Sequence, residues 1–198
     1  MDRKALLPVT VLVEGGLFLF GILLMGGPHA VLTQFNLSWS ATAFALLLCL
    51  PMVAALYFAI RSEWEALSRL RYELDEKILP IFANCKIIDL AMIAFLAGIG
   101  EELFFRGWLQ GVLTNKFGML LGILIASGIF GFAHYLSPTY ALYAGLTGVY
   151  LGAICQISGN LYIVMAIHAL YDFIALVYLV QKEKKNGKGF EQLENGTV

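Results

Sequence analysis

Apolar positions fall into six long blocks separated by short polar segments, at about residues 5–25, 41–60, 87–113, 117–136, 139–156 and 161–180. Each approaches the roughly 20 residues an α-helix needs to cross a bilayer, the fourth and fifth being a little short. The pattern predicts an all-α, polytopic transmembrane helical bundle of about six spans, forming one domain over residues 1–180. Between the second and third blocks, Trp64, Leu67, Leu70 or Arg71, Leu74 and Ile78 recur with helical period. Ser62 and Glu65 have the spacing of a capping box. An amphipathic interfacial helix over about residues 62–80 is expected there, lying on the cytoplasmic surface and stopped near Pro80. The segment from 181 to 198 is polar and contains Gly and Asn, the composition of a disordered cytoplasmic tail.

The first block follows Met1-Asp2-Arg3-Lys4 and is too long for a signal-peptide core, so it reads as a retained span. In the fifth block Ala144, Gly148 and Gly152 keep a small-xxx-small spacing that lets a neighbouring helix approach closely. No internal repeat or low-complexity tract interrupts the pattern.

Composition agrees with the blocks. The 198 residues are 60% hydrophobic and only 14% charged, with a mean hydropathy of +0.78. A net charge of −1 removes any global electrostatic case for nucleic acid. Lys and Arg gather before the first span (Arg3, Lys4), between the second and third (Arg61, Arg69, Arg71, Lys77, Lys86) and after the last (Lys182, Lys184, Lys185, Lys188). Six crossings put all of these on one side and leave only Lys116 on the other, so both termini are expected in the cytoplasm. Cys49, Cys85 and Cys155 lie far apart in or beside apolar blocks, where a thiol behaves as a small hydrophobe.

Against this apolar background three polar constellations stand out. The first is Glu101, Glu102 and Arg106. Residues four apart share a helix face, so Glu102 can reach Arg106, while Glu101, about 100° round the axis, faces elsewhere. One carboxylate is then neutralised and the other is left for chemistry; a purely structural ion-pair network is the rival reading. The second is Phe130 and His134, one turn apart, and the third is His168 and Asp172, again four apart. An aspartate one turn from a histidine can fix its tautomer, in catalytic, metal and proton-relay sites alike. Apart from Glu14 in the first block, these groups account for nearly all strongly ionisable side chains in the predicted hydrocarbon region. Such groups are costly there, persist when paired with one another, and mark function by default. Convergence in one cavity is the economical arrangement, with a carboxylate as general base for a water.

The three motifs, Glu-Glu-x-x-x-Arg, Phe-x-x-x-His and His-x-x-x-Asp, in this order, resemble the CAAX protease and bacteriocin-processing family, also called the Abi or type II CAAX prenyl endopeptidase family. The resemblance covers about residues 85–180. It implies an intramembrane endopeptidase with a catalytic cavity inside the bilayer, acting on a peptide or membrane-protein substrate. Carried over by motif, Glu101 would activate water, His134 would help hold it, and His168 with Asp172 would form the far, oxyanion-stabilising side. Glu102, Arg106 and Phe130 would support them. Eukaryotic-type members carry Asn where this chain has Asp172, and an ionised carboxylate cannot donate to an oxyanion as an amide can. Many bacterial members carry Asp there.

The family has been described both as metal-dependent and as metal-independent. Glu101, His134, His168 and Asp172 are all donors acceptable to Zn²⁺, although no His-Glu-x-x-His signature is present. Zinc therefore stays an open cofactor. Short loops in a compact chain fit a member of a prokaryote-type cell membrane, with no adaptor identifiable. Two other classes share these residues: a non-proteolytic scaffold or immunity protein that keeps the cavity for binding, and a small transporter or proton relay. Discontinuous helices or an inverted repeat would favour the last.

Overall fold

The computed structural model describes residues 3–194, and it is helical throughout the elements that matter here. Helix α1 spans Arg3–Leu24, α2 Pro28–Leu32 and α3 Trp39–Arg61. Helix α4 spans Glu65–Phe82, α5 Ile87–Phe117 and α6 Met119–Ala133. Helix α7 spans Pro138–Ser158 and α8 Leu161–Glu194. No strand occurs among the described residues.

Four of the six expected spans, α1, α3, α7 and the part of α8 from Leu161 to Glu183, are long and apolar enough to cross a membrane. The fourth expected block corresponds to α6, which at 15 residues is shorter than the roughly 20 that a full crossing takes. The third corresponds to α5, which passes the same test only together with α4, to which it is joined at a 110° bend. Among the described residues the count by length and composition is four, or five with the bent pair, a polytopic helical bundle with slightly fewer full-length spans than the sequence blocks suggest. The sequence pattern merged short and long apolar runs because hydropathy does not register where a helix bends or stops.

The 62–80 segment departs from expectation in detail. Ser62 closes α3 with extended backbone, and α4 begins only at Glu65, so Glu65 stands in the first turn too early to be the third residue of a capping box. Ser62 Oγ instead accepts from the Trp64 N–H, and Glu65 pairs with Arg69. Nor does the helix stop at Pro80. It widens into a π-turn over Leu74–Ile78, with the Leu79 N–H bonded to the Leu74 carbonyl, and continues to Phe82. A wider turn ahead of a proline accommodates its ring and its missing N–H. Trp64 is left exposed, whereas Leu70 and Leu79 are buried, so much of the apolar stripe faces the bundle.

Helix α8 is the central rod. It packs on α5 and α3 around a core of Met52, Leu103, Leu151, Val164, Ile167 and their neighbours. Glycines set how closely the rods approach. A Cβ on Gly98 would lie 2.7 Å from the Ala169 amide, and one on Gly100 would lie 2.5 Å from the Glu14 carbonyl oxygen. The α7 stripe behaves as its spacing implies: Gly148 lies against Ser127 and Arg106, and Gly152 against Gln110. Arg106 donates to the Gly148 carbonyl and Gln110 to the Gly152 carbonyl, two rungs one turn apart.

One end of the bundle is tied by charge. Arg3 of α1 pairs with Asp89 of α5, Lys182 of α8 with Asp75 of α4, and Ser137, before α7, donates to Glu73 of α4. Helix α8 runs to Glu194, past the boundary expected for a tail beginning at 181. Positions 195–198, and the side chains of Lys184, Lys185 and Lys188, lie outside the described residues.

Candidate active site

Helix α5 carries Glu101 and Glu102 to the centre of the bundle. Ile93, Ala97 and Glu101 recur every fourth residue along one face, while Glu102 turns toward α7 and α8 and is fully buried. Immediately afterwards α5 opens into a π-segment, Leu103–Leu109, which contains Arg106. Such widened turns collect at functional sites, because the extra residue re-aims the side chains around it.

Arg106 Nη1 donates to Glu102 Oε1 at 2.8 Å, and Nη2 to the Gly148 carbonyl at 3.2 Å. The same Glu102 oxygen lies 2.7 Å from His168 Nδ1. Glu102, Arg106 and His168 thus form one buried chain linking α5, α7 and α8. Its charges are compensated, which is the condition for burying them.

The other ring nitrogen of His168, Nε2, faces two further carboxylates, Asp172 Oδ2 at 3.4 Å and Glu101 Oε2 at 4.0 Å. His134 ends α6 and is held by contact of Nδ1 with the Phe130 carbonyl at 2.9 Å, which leaves Nε2 pointing at Glu101 Oε2, 3.6 Å away. That Glu101 oxygen is buried and has no hydrogen-bond partner among the described residues. Buried polar atoms without partners are rare, and each calls for an explanation. A water at ordinary distance, about 2.8 Å from each partner, reaches both Glu101 and His134.

Phe130 organises the group from one side. The Arg106 guanidinium lies 4.5 Å from its ring centre, the His134 ring 4.4 Å and the His168 ring 6.1 Å. An aromatic face attracts the cation.

These groups meet a cavity of about 320 Å³. His134, His168 and Asp172 line its inner end, and Leu56, Leu70, Leu74, Ile78 and Phe82 line the part toward α3 and α4. The amphipathic helix therefore roofs the cavity, with Arg71 on its wall held by the Ile60 carbonyl and Ser68. All seven residues singled out from the three motifs lie in this one neighbourhood.

Two features of the site were missed in the sequence. Glu14 of α1 lines the same cavity, and its Oε2 is buried without a hydrogen-bond partner among the described residues. Its signal was legible as a lone carboxylate inside an apolar block, but nothing local said which way it faced. Tyr140 and Tyr143 of α7 and Tyr171 of α8 also line the cavity, the last two bonded hydroxyl to hydroxyl at 2.5 Å. Their spacing along each helix was readable, but their meeting across the cavity was not.

The zinc question can be put to the donors themselves. Among the described residues no group of three or more His, Cys, Asp or Glu side chains is arranged to hold a metal ion. The shared oxygen of Glu102 is already taken by Arg106 and His168. The donor set as placed does not fit zinc, and no chemical step below passes through a metal.

An all-helical bundle with an acid–histidine cluster opening on an internal cavity defines an integral membrane protein with an enzyme-like site. Residues 83–174 match the family model described as Type II CAAX prenyl endopeptidase Rce1-like, the family that the motif trio resembles. The matched segment runs from just before α5 to just past Asp172 and contains all seven motif residues. The family is a protease family. No curated protein and no solved structure matches the chain.

Proposed function

We propose that the protein is an intramembrane endopeptidase in which Glu101 activates water. The observation that carries this reading is Glu101 Oε2, without a hydrogen-bond partner among the described residues and set 3.6 Å from His134 Nε2 and 4.0 Å from His168 Nε2, two residues of the cavity lining. Glu101 takes a proton from the water as its oxygen bonds to the peptide carbonyl carbon, and His134 orients that water. His168 has an acceptor at each ring nitrogen, Glu102 at Nδ1 and carboxylates near Nε2, so both nitrogens have reason to carry hydrogen. A hydrogen on Nε2 faces the space where the carbonyl oxygen gains charge. Collapse of the tetrahedral species returns a proton to the leaving nitrogen and completes hydrolysis.

The substrate is a peptide segment bearing a large apolar group near the cleaved bond, accommodated by the apolar wall of α3 and α4. Arg71 lines the cavity, and the gathering of Arg3, Arg61, Arg71 and Lys77 in the basic segments of the sequence supports a site that opens toward the cytoplasm.

The test uses the full chain in proteoliposomes with a farnesylated fluorogenic CAAX peptide. Glu101→Gln keeps the shape of the side chain but replaces an acceptor oxygen by an amide donor and removes the base. Cleavage is expected to vanish while the thermal unfolding midpoint stays within a few degrees of wild type. Undiminished cleavage by that variant overturns the assignment. Proteomic comparison of membranes holding wild type or Glu101→Gln, read for new N-termini near membrane boundaries, then identifies native substrates.

A further inference from the structure

Resting on that reading, we propose that Glu14 is a second catalytic carboxyl of the site, the group that delivers the proton to the leaving amine. Three observations place it there. Helix α1 is largely exposed on its outer side, with Leu12, Leu19 and Leu23 all open, whereas Leu6 is buried and Thr10 and Glu14, at successive turns, line the cavity. The α1 backbone at Glu14 presses directly on Gly100, where any side chain would collide with the Glu14 carbonyl, and Gly100 adjoins Glu101. One carboxylate oxygen of Glu14 is buried and has no hydrogen-bond partner among the described residues, as with Glu101.

Ionisable groups of three other helices act on Glu14, Glu101 from α5, His134 from α6, and His168 and Asp172 from α8, and Tyr140 and Tyr143 of α7 and Tyr171 of α8 share its cavity. Arg71 of α4 lines the same cavity. Glu14 is therefore a member of the cluster rather than a stray acid facing lipid. A carboxyl at membrane depth with no structural partner is a functional group by default. With Glu14 on the cavity lining and Glu101 beside His134 and His168, which also line it, one carboxyl can accept a proton while the other gives one. That is the requirement of amide hydrolysis, in which one group must accept a proton while another donates one.

The step balances. Glu101 accepts a proton as the water oxygen bonds to the carbonyl carbon. The carboxylic acid of Glu14 gives its proton to the amide nitrogen as the carbon–nitrogen bond breaks, and is left as a carboxylate. Passage of one proton from Glu101 to Glu14 through a cavity water restores both. One water is consumed, one carboxylic acid and one amine are formed, and nothing is oxidised or reduced.

The experiment compares wild type, Glu14→Gln, Glu14→Asp and Glu101→Gln in proteoliposomes on two probes. One is the farnesylated amide reporter; the other has an activated aryl ester in place of the scissile amide. An aryloxide leaves without a proton, so only the amide needs the donor. Glu14→Gln should lower kcat on the amide by about 100-fold or more, the usual worth of a positioned proton donor, with KM and ester cleavage within about threefold of wild type. Its kcat should lose the descending alkaline limb of the pH profile, and Glu14→Asp should recover part of the rate. Amide cleavage by Glu14→Gln at the wild-type rate overturns the proposal. So does an equal fall on both probes, which marks a packing role. If Glu101→Gln instead cleaves both probes normally, the hydrolase reading itself fails, an outcome distinct from either.

Discussion

His168 Nδ1 lies 2.7 Å from Glu102 Oε1, whereas Oδ2 of Asp172, its neighbour one turn along the same helix, lies 3.4 Å from Nε2. The carboxylate that orients the histidine is therefore supplied by α5, across the bundle. Glu102 holds His168 from one side and Arg106 from another, and a single oxygen makes both contacts. Replacing Glu102 by Gln weakens both while conserving volume. Cleavage by this variant should fall by roughly 10- to 100-fold, the usual scale for losing a hydrogen bond that orients a functional histidine. Steady-state kinetics on the farnesylated reporter checks this, and the loss should appear in kcat more than in KM.

Arg106 has a different cost. It is nearly fully buried, paired with Glu102 and bonded to the Gly148 carbonyl. Removing it leaves a buried charge without its counter-ion, so Arg106→Ala should destabilise the bundle by roughly 3–5 kcal/mol. Arg106→Lys should rescue only part, since an ammonium lacks the fork that spans both acceptors. Urea or thermal unfolding in detergent micelles reads both effects.

Spacing between rods can be tested without touching any polar group. Gly98→Ala puts a methyl 2.7 Å from the Ala169 amide on α8, where the backbone must yield. This change should cost roughly 1–3 kcal/mol of stability and also lower kcat, because it moves Glu101 away from His168. Gly145→Ala meets its nearest atom, the Ser127 carbonyl oxygen, at 3.5 Å, an ordinary contact, and should be close to neutral. Equal behaviour of the two variants would mean that rod spacing does not control the site.

Asp172 lies about a third exposed at the cavity, 3.4 Å from His168 Nε2, with the Tyr143–Tyr171 hydroxyl pair on the same lining. An amide in its place can donate to a developing oxyanion. Asp172→Asn should therefore retain cleavage within about tenfold of wild type, whereas Asp172→Ala should lose more than that. The ratio of the two rates decides whether a polar donor or acceptor is needed there at all.

How much of this was readable in advance follows from the range over which each signal acts. Glu102 and Arg106 sit four apart on one helix, so their pairing follows from helical pitch alone. Likewise Ala144, Gly148 and Gly152 announce a close helix contact by their spacing. The Ser62–Glu65 box failed because it depends on which residue starts a helix, and the end of α3 settled that. The interfacial stripe was recognised, but its role in roofing the cavity required α4 to bend 110° against α5.

The chain by itself determined that this is a helical membrane protein and which acids and histidines are too costly to bury without purpose, because hydropathy and helical period are local properties of the order of residues. Only the tertiary structure decided which of those groups face each other: that Glu102 lies nearer to His168 than Asp172 does, that Glu14 faces the cavity, and that two tyrosines of the cavity lining meet. Those relations depend on the rotation of each rod about its own axis. That rotation is set by where glycines such as Gly98 and Gly100 let backbones touch and where the π-segment at Leu103–Leu109 re-aims a face.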